Sequence, residues 1–138
     1  MDLAEAAIAR IERDHAGTLA AVDACADAVA ADWPGGLATD GEAVRAPLAA
    51  ALADAGVLEA APALLADAVD ATGHVLRARP VAAPPYVVVT SRGPLLRATI
   101  EPGRLVIGLE TFEVVREPAV GYRRLEGVEP TVTLEPGR

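Results

Sequence analysis

Arg79-Pro80-Val81-Ala82-Ala83-Pro84-Pro85-Tyr86-Val87-Val88-Val89-Thr90 is the stretch at which the chain changes from one kind of sequence to another. Its prolines lack the N–H that a helix needs and hold the residues before them in extended backbone, so a helix arriving from upstream stops by Arg79. Upstream, Ala and acidic residues dominate; downstream, Val and Thr rise between Pro-Gly pairs. Ala is the best helix former, whereas β-branched residues fit a pleated sheet. The chain therefore reads as α+β: a helical layer of about three helices over 1–79, packed on an antiparallel sheet of four to five strands over 80–138. At 138 residues, a single domain 1–138 accommodates both layers.

Moving downstream, Tyr86–Thr90 is apolar on both faces, which predicts a central strand covered on two sides. Leu95–Ile100 follows the Arg92-Gly93-Pro94 turn, and Glu101-Pro102-Gly103-Arg104 carries Pro and Gly at the two central positions of a β-turn. From Leu105 the apolar residues occupy odd positions, Leu105, Ile107 and Leu109, and then even ones, Phe112 and Val114. Side chains alternate strictly along a strand, so this switch requires a bulge or a break near Glu110-Thr111. Tyr122–Leu125 and Thr131–Leu134 read as shorter, edge-type strands separated by Gly127 and Pro130.

Upstream of the seam, Asp2 and Glu5 make a capping box at the start of a first helix. Ile8, Ile11, His15, Thr18, Val22, Cys25 and Val29 recur at spacings of three and four and lie on one stripe. The register continues through Gly17, which predicts one helix, bent there, of about thirty residues ending before Trp33-Pro34-Gly35-Gly36. Thr39 or Asp40 caps a second helix with Val44, Leu48 and Leu52 inward; Pro47 should bend or delay it, and Gly56 closes it. A third helix runs from Val57 or Pro62 to Thr72, buries Leu64, Leu65 and Val69, and stops at Gly73. A thirty-residue helix spans roughly 45 Å, more than the shorter helices cover, so part of its stripe is expected to meet a second copy in a twofold dimer.

All twelve basic residues are Arg, against twenty acids, for a net charge of −8. Residues 1–79 hold five Arg and thirteen acids, whereas residues 80–138 hold seven of each, so the whole excess lies in the first half. The composition, free of Lys, Asn and Gln, resembles that of proteins from extremely halophilic archaea. Physical chemistry agrees, since molar salt shortens the screening length to about 3 Å and removes the self-repulsion of such a surface. The segment Ala83-Pro84-Pro85-Tyr86-Val87-Val88-Val89-Thr90-Ser91-Arg92-Gly93-Pro94, following an acidic Ala-rich half, resembles small uncharacterised haloarchaeal families. That resemblance implies no activity and transfers no site.

No basic surplus is present to hold phosphates, and Trp33, Phe112, Tyr86 and Tyr122 are the only aromatics on which bases could stack, so nucleic acid is not an expected partner. Acid follows Met1 where a secretory leader needs base, and the uncharged run Pro80–Ser91 is short and interrupted by prolines; the expectation is a cytoplasmic protein that does not enter the membrane. One cysteine excludes a disulfide framework.

Phosphate-loop, dinucleotide, zinc-protease and nucleophile-elbow motifs do not occur, and no cofactor is expected. Ser91, the only serine, reads as a turn residue; as a nucleophile it would need a His base in space. Glu12-Arg13-Asp14-His15 contains one Glu-x-x-His, but a di-iron bundle needs two and further helical Glu, and His74 has no Glu three residues before it. No metal site is expected, and His15 reads as a packed residue with its polar edge satisfied. Cys25 lies between Asp23 and Asp27 and reads as a small buried hydrophobe. Arg92, Arg97, Arg104, Arg123 and Arg124 lie in the strand half, where they are expected to pair mostly with Glu101, Glu110, Glu113, Glu117 and Glu126. The leading functional expectation is a noncatalytic interaction or accessory protein that binds a protein partner or itself. The alternative is a module holding a small anionic ligand between helices and sheet, anchored by Arg92 or Arg97. An enzyme of unknown class comes third.

Overall fold

A computed structural model describes residues 1–101 and 103–136. Four helices, α1 (Leu3–Asp14), α2 (Ala16–Ala30), α3 (Gly41–Asp54) and α4 (Val57–Ala71), lie in the first half. Five strands, β1 (Leu37–Ala38), β2 (Val87–Thr90), β3 (Gly93–Thr99), β4 (Gly103–Val115) and β5 (Gly121–Pro136), form an antiparallel sheet in the order β1-β5-β4-β3-β2. The α+β architecture and the antiparallel sheet follow the sequence reading. Four parts of that reading are corrected.

The first helix is two. His15 leaves helical geometry at φ −127° and ψ 29°, ending α1 with its N–H on the Ile11 carbonyl and starting α2 with its own carbonyl accepting from Leu19. The break lets α1 lie against α4 while α2 lies against α3 and the sheet. Ile11, Val22 and Cys25 of the predicted stripe are buried within the chain's own core. The 45 Å rod on which dimerisation through helix 1 was expected is therefore absent.

The second correction is β1, contributed by the helical half. After the turn Pro34–Gly36, Leu37 and Ala38 pair with Arg123 and Tyr122. The third concerns Tyr86–Thr90, whose β2 is an edge strand and not a central one. Val87 and Val89 face the helical side, while Val88 lies half-buried on the other face beside its partner Leu95. The fourth is β5, continuous through Gly127 and Pro130. β1 pairs only at Tyr122 and Arg123, so at Pro130 the strand has β4 alone as neighbour, an edge-like position where a missing N–H is tolerated.

Apart from Pro47, which does not delay α3, the remaining punctuation matches. Asp40 caps α3 through its side chain on the Glu42 N–H, and Gly56 and Gly73, at φ 78° and 81°, end α3 and α4. Helix α3 runs through Pro47 without delay, and α4 begins at Val57 with Pro62 inside it. The β4–β5 register jumps between Glu110 and Phe112, as the parity switch requires. In the turn predicted at Glu101-Pro102-Gly103-Arg104, Pro102 lies outside the described residues; Ile100 donates to the Gly103 carbonyl at 2.9 Å.

One apolar cluster joins the layers. Leu96 and Ala98 of β3 and Leu105, Ile107, Leu109 and Phe112 of β4 lie beneath Ile11, Val22, Leu48, Leu52, Leu64 and Leu65 of the helices. Trp33 tilts onto Phe112 at 5.1 Å between ring centres and closes one end. Among the described residues no single helix is long and apolar enough to cross a membrane.

Candidate functional site

Helices cover one face of the sheet and leave the alternate residues of every strand on the other. In an antiparallel pair, opposed residues point the same way, so the register lists that second face row by row. Val106 of β4 stands between Arg97 of β3 and Thr133 of β5, and Arg97 donates its backbone N–H to Tyr86 at 2.9 Å. The next row holds Val88, Leu95, Gly108 and Thr131; the row beyond Arg97 holds Thr99, Arg104 and Glu135. Tyr86, Val88, Leu95, Arg97 and Val106 are half-buried, whereas Thr99, Arg104, Thr131, Thr133 and Glu135 are exposed. Gly108 leaves the floor low at its centre, where a Cβ would come within 2.7 Å of the Thr131 hydroxyl.

Arg97 is the unusual member of this face. Its Nε is enclosed and has no acceptor, and its guanidinium makes no ion pair among the described residues. It borders a cavity of about 90 Å³ walled by Pro85, Tyr86, Thr99 and Arg104. Arg104 is already neutralised by Glu135, Nε to Oε1 at 3.3 Å. An enclosed guanidinium N–H without an acceptor forgoes a charge-assisted hydrogen bond and is the costly exception among buried polar groups.

Arg92 does not join Arg97. Its guanidinium is exposed and reaches Glu110 at 3.5 Å, in a separate shallow cavity of about 280 Å³ shared with Thr90, Ser91, Leu95 and Gly108. What fixes Arg92 is its backbone: the carbonyl accepts from the Thr111 N–H at 2.8 Å, the Phe112 N–H at 3.2 Å and the Thr111 hydroxyl at 3.1 Å, satisfying the residue that the bulge inserts. Gly93 permits this approach, because a Cβ there, at φ 144°, would collide with the Leu109 carbonyl. The position expected for an anionic ligand, between helices and sheet, is also corrected, since Arg97 projects from the sheet face opposite the helices.

Of the other arginines, Arg123 pairs across the strands with Glu113 as expected, but Glu101 pairs with Arg77. Arg124 departs from expectation. It points towards the helices, ion-pairs with Asp23 and Asp27 of α2, and donates to the carbonyls of Thr111, Leu125 and Gly127. Its side chain is 15% exposed, and it fastens α2 to the irregular stretch of the β4–β5 ladder. The Arg123-Arg124 doublet was the available signal, because adjacent strand residues must face opposite ways.

His15 donates from Nε2 to Asp67 of α4 at 2.6 Å, and Arg10 reaches Asp14, Asp67 and Asp70, so this cluster ties α1 to α4. Hydrogen bonding from Arg13, and then from Arg10, holds the Asp14 carboxyl down at about 2. His74 stands apart, by a shallow cavity shared with Asp70 and Leu76. Cys25 is buried, and burial pushes its thiol up, away from nucleophilic thiolate chemistry. Among the described residues no three His, Cys, Asp or Glu side chains gather as metal ligands do.

No curated protein and no solved structure matches the chain. Residues 5–135, which span all but the first two residues of the four helices and nearly the whole sheet, match the family described as Domain of unknown function (DUF7988). The chain is a member of that family.

Proposed function

We infer that this is a noncatalytic interaction protein, and that its partner, a protein segment offering apolar side chains and a carboxylate, lies on the sheet face that the helices leave uncovered. The observation that carries this reading is the composition of that face. Tyr86 and Val106 flank Arg97, Val88 and Leu95 fill the next row, and the Arg97 guanidinium has no ion pair among the described residues of a chain whose net charge is −8. A sheet that serves stability alone can cover its outer face with charged and hydroxyl side chains, as Thr131, Thr133 and Glu135 do on β5. The reading places the protein in the cytoplasm of a cell rich in salt, where its carboxylates keep it soluble.

Site-specific photocrosslinking inside the producing cells tests this. A photoreactive residue at Thr133, on the uncovered face, should give a discrete adduct, and one at the exposed Ala28 of α2 should not. Absence of an adduct at Thr133, or equal yield at the two positions, overturns the reading.

A further inference from the structure

We propose that the cavity beside Arg97 is a binding site for a single carboxylate group. The inference rests on the interaction reading only for the owner of that carboxylate; the site itself is argued from its own atoms.

Three observations define the ligand. The first is the Arg97 guanidinium, which borders the cavity and makes no ion pair among the described residues, its Nε enclosed without an acceptor there. A guanidinium offers its N–H groups in a rigid fork, and the group that fills such a fork in plane is a carboxylate or a phosphate. The second is size: the cavity of about 90 Å³, lined by Pro85, Tyr86, Ala98, Thr99 and Arg104 beside Arg97, has room for a small oxyanion group. The third is charge. Arg104 is paired with Glu135, so among the described residues the cavity carries one uncompensated positive charge, that of Arg97. A monoanion balances it, whereas a phosphate that is largely dianionic at neutral pH brings an excess charge into a half-buried position near Glu135. The neighbouring Val106, Leu95 and Tyr86 extend the site with an apolar surface, on which the carbon chain next to the carboxylate rests.

The carboxylate can belong to a partner's acidic side chain or to a free organic acid. The chemistry at Arg97 is the same, and the experiment separates the two sources. The whole chain, labelled with nitrogen-15, is titrated at neutral pH with sodium acetate, with a glutamate residue blocked at both backbone ends, with isovalerate and with the phosphate monoester methyl phosphate, each at ionic strength matched by sodium chloride. The expected result is a saturable shift of the Arg97 Nε–H signal and of the Tyr86 and Thr99 amide signals with the carboxylates, and a several-fold weaker response to phosphate. Tighter binding of blocked glutamate than of isovalerate assigns the site to a partner's side chain; the reverse order assigns it to a free acid. Arg97→Lys keeps the charge and loses the fork, and should weaken acetate binding roughly tenfold. Arg45→Gln, on α3 away from the cavity and already paired with Glu42, should change it about twofold or less.

Phosphate binding as well as acetate, non-saturable shifts, or unchanged acetate binding in Arg97→Lys overturns the carboxylate site. The wild-type comparison of acetate with phosphate decides the matter even if a variant fails to fold. Because these titrations need no partner, a failed photocrosslink with saturable acetate binding removes the interaction reading and leaves the site. The opposite outcome removes the site and leaves the interaction.

Discussion

Leu96 and Arg97 are neighbours in β3, yet Leu96 is sealed under the helices while Arg97, on the opposite face, has an enclosed nitrogen without a partner. The same division runs along β4, where Ile107 is fully buried and Val106 is half-buried. The two faces alternate residue by residue and answer to different demands. The covered face joins the halves of the chain by apolar burial, and side chains there must match the volume left by the helices. The uncovered face is free of that constraint, so an apolar group or an unpaired charge retained on it calls for an explanation outside the chain.

The largest effect should come from carving the two faces at matched positions. Ile107→Ala opens a cavity in the core beneath the helical layer and should cost about 2–5 kcal/mol of unfolding free energy, measured by urea denaturation in high salt. Val106→Ala, one residue away, should cost about 1 kcal/mol or less, since solvent or a partner can fill the space. Equal costs would break the comparison by showing that the second face is as tightly packed as the first.

The next pair tests charge on the same two faces. Arg124→Met retains the apolar stem but strips the Asp23 and Asp27 carboxylates and four backbone carbonyls, Asp23's among them, of a shared donor, and should cost about 2 kcal/mol. Arg123→Met removes one exposed cross-strand pair with Glu113 and should cost about 0.5 kcal/mol or less. If the two shifts in denaturation midpoint are equal, Arg124 does not fasten α2 to the sheet.

Periodicity is informative about which residues point inward and silent about whether an axis is continuous. Ile11, Val22 and Cys25 are buried as their spacing requires, yet α1 and α2 are separate helices that face one core and so share one stripe. At the break, His15 hydrogen-bonds Asp67, fifty-two residues away, a contact that no local signal carries. The bulge was legible because parity in a strand is strict, and the caps at Asp2 and Asp40 were legible because capping is local. Strand β1 was hidden by its length of two residues, and the edge position of β2 by a valine run that looks the same whether its second face is fully or half covered. At the candidate site, the sequence pointed to both Arg92 and Arg97. Only pairing in space separates the arginine held by Glu110 from the one left without an acceptor.

The smallest expected effect lies in the helical layer and depends on pH. Asp14, with its carboxyl held at about 2 by Arg13 and then Arg10, is more acidic folded than its ordinary value of 3.8. A lowered folded value means that the ionised carboxylate favours the folded state above pH 3.8, and that this contribution fades as pH falls from 3.8 towards 2. Arg13 is exposed and Arg10 shares its guanidinium with Asp67 and Asp70, so the pairing is largely a surface one and the effect should be modest. Thermal melts of wild type and Asp14→Asn should differ slightly between pH 5 and 7, with wild type more stable, and should converge near pH 2. A difference that persists unchanged at pH 2 would assign the effect of Asp14 to packing or to the end of α1 instead of to its charge, leaving the link from α1 to α4 to His15 and Arg10 on Asp67 and Asp70.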